Sequence, residues 1–424
     1  MPEQIHKRFT DEQVKELMKR YVANEISRKH VQGMLNIGKA RFFRLLKTYW
    51  ANPETFSFQY RRFGKTRSTD PKIEKNILLE LKETKKLIVN KAMPVWTYNY
   101  SFIRKELAKN HKQVVSVPTI ISRAKEHGFY IEKPKTKKAH DRHVITNHIG
   151  ELIQHDASIH LWSPWVKEKW VLITSIDDYS RLILYAMLVT AESAWAHIVA
   201  LQTIFLKFGL PMSFYADNHS IFRFVRGRDE LHYKHHKLTD EVSPQWKQVL
   251  EDCTVRLIYA LSPQAKGKVE RPYGWLQDHI VRICARDHVD TLPQANQVLF
   301  REIYQYNYKW IHSTVEEIPF LRFQRAEKEK KNLFRQFIVP PPYQSIKDIF
   351  CFRMDRVVDN YRSVSLNNLQ LKFNNAPIRE TVNLRIHPDK STGLSEVRFW
   401  HQGKLLDVQQ IKTSLLESES TFKV

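Results

Sequence analysis

The stretch Glu151-Leu-Ile-Gln-His-Asp-Ala-Ser-Ile-His160 decides the fold, because it has the apolar content of a strand and carries an aspartate near its centre. Leu152, Ile153 and Ile159 flank Asp156, and burying an unpaired carboxylate there would be costly. Asp156 must therefore face water, a cation or a hydrogen-bonding partner. The sequence predicts a strand that lines a site.

Two further acids stand at the ends of predicted elements. Asp217 follows the apolar run 212–216, and the carboxyl end of a strand is where open α/β sheets place their ligands. Glu270 is near the end of Ser262-Pro-Gln-Ala-Lys-Gly-Lys-Val-Glu-Arg271, which has the character of a loop that enters a helix. Positions i+3, i+4 and i+7 from this glutamate share its helical face, and they are occupied by Tyr273, Gly274 and Gln277.

Three carboxylates of this kind can hold two metal ions. Carboxylate oxygens suit Mg²⁺ or Mn²⁺, and two such ions roughly 3.5–4 Å apart can cut and rejoin a phosphodiester. We assign Asp156 to bridge both ions, with Asp217 and Glu270 each holding one. The basic residues around Glu270 are candidates to neutralise the scissile phosphate or the adjacent strand, and they are Lys266, Lys268 and Arg271.

The charge of the chain indicates a polyanionic partner. Of its 424 residues, 68 are Lys or Arg and 45 are Asp or Glu, which gives a net charge of +23. An excess of this size is typical of nucleic-acid-binding proteins, although a merely basic soluble protein is the alternative on charge alone. Cys253, Cys284 and Cys351 are too few and too far apart for a disulfide framework or a cysteine zinc site.

Signals for membrane insertion are missing from the sequence. Residues 1–8 lack the apolar core of a signal peptide, and no apolar run reaches the length of a membrane span. We therefore expect a cytoplasmic protein without a membrane partner that acts on chromosomal DNA.

Residues 1–50 predict a helix-turn-helix DNA-binding domain, followed by a linker at 51–69. Thr10 and Ser27 are suited to cap its first two helices. The third predicted helix carries three basic residues spaced to share one face, as in a helix offered to the major groove, and these are Arg41, Arg44 and Lys47. An ordinary three-helix bundle with a solvated basic face is the alternative.

A second unit of this kind is predicted over 70–130. Its last helix is capped by Ser116, has Pro118 in its first turn and ends at Gly128. Arg123 on this helix is a further candidate for contact with DNA. Two such units in series would read a longer site than one.

A basic linker at 131–148, which either contacts phosphates or is simply solvated, precedes a predicted α/β core at 149–312. Three strand signals, at 152–161, 170–177 and 181–189, come first in this core. An alternation of helices and strands follows them, and this order favours a mixed sheet flanked by helices. After a linker at 313–345, period-two strands over 346–410 predict a small β-barrel. Residues 411–424 form a tail.

Several side chains near the acids have two interpretations. The histidines either contact DNA or the metal shell, or are ordinary core and surface residues: His155, His160 and His219. Three tryptophans either pack in the core, which we favour, or stack on an unpaired base: Trp162, Trp165 and Trp170. Arg223 and the basic residues after it either contact DNA or are solvated. Asp177 and Asp178 are expected to shape a turn.

Four motifs carry a resemblance to a known family: Gln154-His-Asp156, Ile176-Asp-Asp-Tyr-Ser-Arg181, Tyr215-Ala-Asp217-Asn-His-Ser-Ile-Phe-Arg223 and the Ser262 to Arg271 stretch. Together they resemble the integrase core of DDE transposases, in the branch of bacterial insertion sequences called the ISNCY family. The resemblance implies an RNase H-like fold for 149–312. It also implies that Asp156, Asp217 and Glu270 are the metal ligands.

The chain departs from the family pattern without losing an acid. Ala157 stands where the family often has Gly, and no His-His-Cys-Cys zinc module precedes the core. Pro272 comes two residues after Glu270, so the helix is expected either to start late or to kink there.

The resemblance implies a magnesium-dependent polynucleotidyl transferase in a multidomain chain. Such a transposase binds the terminal inverted repeats of an insertion sequence, cleaves the ends and joins the 3′-hydroxyls to target DNA. Its partners would be double-stranded DNA and at least one second copy of the chain, in the nucleoid of a bacterial cell. The alternatives are an RNase H-like nuclease without strand transfer and a domesticated sequence-specific DNA-binding regulator.

Overall fold

The structure is a computed structural model that describes residues 5, 8–58, 69–91, 93–132, 146–216, 245–259, 267–366 and 369–416, and only the backbone of 267–273. The chain divides into two compact units, Met1–Glu74 and Lys75–Val424. None of the described helices combines the length and the apolar composition that crossing a bilayer requires.

Three short helices build the first unit: α1 (Asp11–Val22), α2 (Arg28–Leu35) and α3 (Lys39–Ala51). As predicted, Thr10 caps α1, where it forms a capping box with Gln13, and Ser27 caps α2. Each cap satisfies a backbone N–H that a helix start leaves without an intrahelical partner. Asn36, in the left-handed region with φ 51°, ends α2. The apolar stripes of the helices meet in a core that includes Val14, Met18, Val31, Leu35, Phe42 and Leu46.

A second set of helices follows: α4 (Pro71–Val89), α5 (Tyr100–His111) and α6 (Val117–Glu126). As predicted, Ser116 caps α6 and Pro118 stands in its first turn. Gly128, with φ +70°, follows the last turn, where the left-handed backbone favours glycine. The predicted ends of this helix are confirmed.

A five-stranded mixed sheet lies at the centre of the second unit: β1 (Ile153–His160), β2 (Trp170–Asp177), β3 (Ile183–Val189), β4 (Ser213–Ala216) and β5 (Arg256–Tyr259). Its strand order is β3-β2-β1-β4-β5. The first three strands are antiparallel neighbours, whereas β4 runs parallel to both β1 and β5. The predicted mixed sheet is confirmed.

Helices cover both faces of this sheet: α7 (Ala194–Phe208), α8 (Gln245–Asp252), α9 (Gly267–Arg286) and α10 (Leu292–Tyr308). Ile153 of β1 packs in a cluster with α7 and α8, and Leu172 of β2 packs in another with α9 and α10. Leu172 pairs with Ser158 across the β1–β2 ladder. Since side chains alternate along a strand, Asp156 and Ser158 lie on the α9 face, and His155 lies on the α7 face.

The edge strand β3 is held by two asparagines of α10. Asn307 accepts from the Ile183 N–H at 3.0 Å and donates to the Ile183 carbonyl at 2.9 Å. Asn296 makes the same pair of bonds with Leu188, at 2.9 and 3.0 Å. These bonds satisfy backbone groups that an edge strand otherwise exposes for pairing with another chain.

The helices α4 and α5 contact α9 and α10. Phe102 of α5 is buried within the α9–α10 cluster. Arg286 of α9 donates to Glu106 of α5 at 2.9 Å and to Glu80 of α4. Lys105 of α5 pairs with Glu302 of α10 at 2.6 Å. Phe102 and these ion pairs therefore join α4 and α5 to the α/β part.

The C-terminal part contains α11 (Pro319–Lys328), α12 (Ile346–Ile349), β6 (Phe352–Val357), β7 (Ser363–Leu366), β8 (Leu369–Lys372), β9 (Thr381–Asp389), β10 (Leu394–His401) and β11 (Lys404–Lys412). One antiparallel sheet has the order β11-β10-β9-β6, and β7 and β8 form a separate hairpin. Within residues 346–416, apart from 367–368, no ladder closes these strands into a ring, so the predicted small barrel is not confirmed.

The physical reason is that period-two alternation fixes only which face of a strand is buried, not what buries it. Here the buried face of the four-stranded sheet packs on the α/β part, where Trp195 of α7 contacts Phe352 and His387. Asp252 of α8 adds ion pairs to Arg353 at 2.7 Å and Arg385 at 3.0 Å.

Replacing the helix asparagine that holds β3 tests this arrangement. Asn307→Ala leaves the buried N–H and carbonyl of Ile183 without their partners, and each unsatisfied group costs about 1–3 kcal/mol. We expect the free energy of unfolding, measured by denaturant titration, to fall by roughly 2–4 kcal/mol. The exposed Gln297→Ala on the same helix is the control and should stay within about 0.5 kcal/mol of wild type. Equal stability of the two variants would show that α10 does not hold the edge.

Candidate active site

Asp156 is half-buried near the middle of β1. Across the ladder it faces Thr174 of β2, which is buried. On the other side, β1 pairs with β4 in a register that sets Gln154 opposite Tyr215. Ala216, the last residue of β4, is therefore level with Asp156 to within one residue. Asp156 thus lies on the α9 face of the sheet, with β2 on one side of it and the end of β4 on the other.

The helix α9 is fixed on this face by a polar and an apolar contact. The Gln277 amide donates to the Ser158 hydroxyl at 2.9 Å, and Ser158 follows Asp156 on the same face of β1. Leu276 and Ile280 are fully buried in the cluster that contains Leu172. The helical face that the sequence assigns jointly to Glu270 and Gln277 is therefore the one in contact with β1.

The direction of α9 follows from a second contact. The indole N–H of Trp165, which comes after β1, donates to the carbonyls of Cys284 and Ala285 at 3.1 Å each. Later residues of the helix thus lie beside residues that follow β1, while Gln277 lies beside Ser158. The helix and β1 run in the same general direction, so the N-terminal half of α9 extends toward the Asp156 end of the strand.

The other predicted acids lie at the border of what the structure describes. Glu270 belongs to α9, but its side chain lies outside the described atoms, as do those of Lys268 and Arg271. Asp217, Arg223, His219 and Lys266 lie outside the described residues altogether. No group of three His, Cys, Asp or Glu side chains that could hold a metal occurs among the described ones. The three-acid site therefore stays a prediction.

Pro272 does not delay the helix. The helix begins at Gly267, before Glu270, so the expectation of a late start is wrong. Pro272 stands in the second turn, where its missing N–H leaves the carbonyl four residues earlier without a helical hydrogen bond.

Asp177 and Asp178 shape the connection from β2 to β3, as predicted. Asp177 is fully buried and accepts from the N–H groups of Gly150 at 2.9 Å and Ser180 at 2.8 Å. Asp178 pairs with Arg181 at 3.1 Å and accepts from Gln154. These contacts give both carboxylates a structural role in the turn.

His155 is next to Asp156 in the chain but lies on the opposite face of the sheet. Its ring nitrogens are within 2.8 Å of the Ser175 hydroxyl and of His197, and its ring stacks on Trp246. Burial, together with the neighbouring His197, holds the pKa of His155 well below its usual value. The core interpretation therefore holds for this histidine. Similarly, Trp162 and Trp170 are buried in the core.

The predicted DNA-contacting residues on described helices differ in accessibility. Three of them are exposed on α3, as a groove-binding role requires: Arg41, Arg44 and Lys47. Arg123 on α6 is half-buried and pairs with Glu126 at 3.2 Å. Of the two helices, α3 therefore offers the more accessible basic face.

The turn aspartate leads to a pH-dependence of stability. Burial raises the pKa of Asp177 from 3.8 to about 6, against hydrogen bonds from Ser180 and Gly150 that lower it. Between these values the folded protein keeps a proton that the unfolded chain releases, so the contribution of Asp177 to stability falls as the pH rises from about 4 to about 6. The total change is about 3 kcal/mol.

Asp177→Asn should abolish this component of the pH-dependence. The measurement is the free energy of unfolding of wild type and variant between about pH 4 and pH 7. We expect the wild-type advantage to shrink by about 3 kcal/mol over that interval. The exposed Asp290→Asn serves as the control. A difference between Asp177→Asn and wild type that is independent of pH would exclude the assignment.

Comparison with known proteins gives two curated relatives. The chain is 25% identical over 253 residues to "Putative transposase y4bF" of Sinorhizobium fredii, covering 60% of this chain and 50% of that protein. It is 27% identical over 267 residues to the transposase for insertion sequence IS1202 of Streptococcus pneumoniae, covering 63% and 50%. The chain thus spans about half the length of the curated relatives it matches.

Solved structures add a loose likeness. The catalytic core domain of BIV integrase matches with a TM-score of 0.31 and 15% identity, covering 43% of this chain and 98% of that one. A chain of the simian T-cell lymphotropic virus intasome in complex with PP2A regulatory subunit B56 gamma matches with a TM-score of 0.34 and 12% identity, covering 73% and 92%. Scores of this size carry no conclusion about this chain.

A search of protein-family models finds no match. The two curated relatives nevertheless confirm the resemblance predicted from the motifs. In sequence, this chain is similar to transposases of bacteria.

Proposed function

We propose that this chain is a DNA transposase. It binds the terminal inverted repeats of an insertion sequence, cleaves the ends and joins the 3′-hydroxyls to target DNA. The observation that carries the proposal is the packing of α9 on β1 through Gln277 and Ser158, in a chain similar to transposases. The strand order β3-β2-β1-β4-β5, with β4 and β5 parallel to β1, supports an RNase H-like catalytic core.

Chain geometry supports a meeting of the three acids. Glu270 precedes Gln277 by seven positions, so it belongs to the same helical face, about 10 Å along α9. Asp156 precedes Ser158 by about 7 Å along β1. Because α9 and β1 run in the same general direction, Glu270 and Asp156 are displaced the same way from the Gln277–Ser158 contact. Asp217 follows Ala216, so their Cα atoms are about 3.8 Å apart, next to the level of Asp156. In this proposal the three acids meet near one end of the α9–β1 contact.

The surroundings of Asp156 fit a divalent ion of the Mg²⁺ class. The carboxylate is half-buried on a sheet face, with the hydroxyl-bearing Ser158 and Thr174 next to it on that face, and oxygen atoms are the ligands such ions prefer. Two bound ions would lower the pKa of an attacking water or 3′-hydroxyl and stabilise the leaving oxygen. In this proposal Asp156 bridges the two positions, and Asp217 and Glu270 each serve one.

Basic residues position the DNA in this proposal. Next to the acids, the scissile phosphate and its strand are held by Lys266, Lys268, Arg271 and Arg223. Away from the acids, the exposed basic face of α3 enters the major groove, and Arg123 contributes from α6. Because two ends must be joined, the active form is at least a dimer.

Substitution of the acids tests the proposal. Asp156→Asn, Asp217→Asn and Glu270→Gln each remove a charge that holds a metal ion, and metal stabilisation is worth several kcal/mol. We expect each variant to lose cleavage and strand transfer of repeat-end DNA in Mg²⁺ by roughly 100-fold or more. The exposed Glu168→Gln is the control and should keep full activity.

The products of the same assay separate the alternatives. Cut but unjoined ends in wild type would favour a nuclease, and tight DNA binding without metal-dependent cleavage would favour a regulator. Full strand transfer by any of the three acid variants would reject that residue as a ligand.

The basic face of α3 makes a separate prediction about DNA affinity. Arg41→Ala, Arg44→Ala and Lys47→Ala each remove one charge from the proposed phosphate or groove contact. The slope of log binding constant against log salt concentration should fall by about 0.9 for each phosphate that the variant no longer neutralises. Lys19→Ala, on the exposed side of α1, is the control and should leave the slope unchanged. Identical slopes in all four variants would place the DNA elsewhere.

A further inference from the structure

The loop that leads into α5 is anchored on both sides of Trp96. The side chains of Val95 and Tyr98 are buried, and the Thr97 carbonyl accepts from Arg282 of α9 at 2.5 Å. Asn99 caps α5 by accepting from the Phe102 N–H at 3.0 Å. The backbone on either side of Trp96 is therefore held in place.

Trp96 itself projects from this held loop. Its side chain is 73% exposed, which makes it the most exposed of the ten tryptophans of the chain. A single exposed apolar residue is common on protein surfaces. An indole presented by an anchored loop differs, because its backbone is already ordered before any ligand arrives.

The loop lies beside the helix of the proposed active site. The Asn99 amide donates to Asp278 of α9 at 2.5 Å. Asp278 directly follows Gln277, which is bonded to Ser158 of β1. Neighbouring positions on a helix differ by about 100°, so the loop and β1 flank the same turn of α9 from two sides.

We propose that Trp96 stacks on an unpaired base of DNA bound along α9. This inference rests on the proposed function, because it assigns the indole to the substrate of that site. Every base offers an aromatic face, so an exposed indole binds unpaired bases with little regard to sequence. A paired base within a duplex is already stacked on its neighbours and offers no free face. Trp96 therefore favours DNA whose end is frayed or single-stranded over DNA that is paired throughout.

The test compares two probes that differ only in pairing. One is a short duplex with a single-stranded extension that contains a fluorescent adenine analogue, and the other is the same duplex with blunt ends. Affinity for each and quenching of the analogue are measured with the full chain and Ca²⁺ in place of Mg²⁺. We expect wild type to prefer the extended probe, and Trp96→Ala to reduce that preference by about tenfold and to abolish the quenching.

Two variants serve as controls. Trp96→Phe keeps an aromatic ring and should keep most of the preference. Tyr361→Ala removes an aromatic side chain of comparable exposure, 81%, from the segment before β7 and should leave the ratio of the two affinities unchanged. A Trp96→Ala protein that keeps the wild-type ratio and quenching overturns the inference, as does a wild type that binds both probes equally. Failure of the proposed function is distinct, since it is measured as the absence of strand transfer of repeat-end DNA in Mg²⁺, which the ratio of the two affinities in Ca²⁺ does not report.

Discussion

The packing of α9 on the sheet is the contact on which the rest of the molecule depends. Leu276 and Ile280 bury their side chains against the sheet, and full burial of one such side chain contributes about 1.5–3 kcal/mol. The apolar contact holds the helix close, and the Gln277–Ser158 hydrogen bond fixes its rotation and its position along β1. Because Glu270 belongs to this helix and Asp156 to this strand, one interface sets the relation between two of the proposed ligands.

Ion pairs with buried partners tie further elements to the α/β part. Arg286 joins the far end of α9 to α4 and α5, and Asp252 joins α8 to the C-terminal sheet. A buried pair adds little net stability compared with apolar packing, but removing one partner leaves an uncompensated charge and is costly. Such pairs favour one arrangement of elements over others.

The sequence predicts local structure here because local signals have local causes. The cap at Thr10, the proline and glycine around α6 and the apolar strand signals of β2 and β3 each act within a few residues. The docking of α4 and α5 on α9 was not predicted, because its contacts join residues such as Glu80 and Arg286 that are far apart in the chain. The small barrel is not confirmed for a related reason, since alternation does not specify which partner covers a face.

The candidate active site shows the same limit of prediction from sequence. Spacing placed Gln277 on the face of Glu270, but it could not reveal that Ser158 would receive the amide. His155 is adjacent to Asp156 in the sequence, yet the alternation of side chains along the strand puts it on the opposite face, where it contacts His197. The strand assignment already contained that signal, since adjacent residues on a strand point to opposite sides.

The most direct measurement is a crystal structure of the chain in Mn²⁺, with the ion located by its anomalous scattering. If the three acids form one site, an anomalous peak lies at about 2.0–2.3 Å from a carboxylate oxygen of Asp156, with oxygens of Asp217 or Glu270 in the same coordination shell. A peak that is bound elsewhere on the chain, with Asp156 free of metal at saturating Mn²⁺, would refute the assignment of β1 and α9 as the two sides of the catalytic centre.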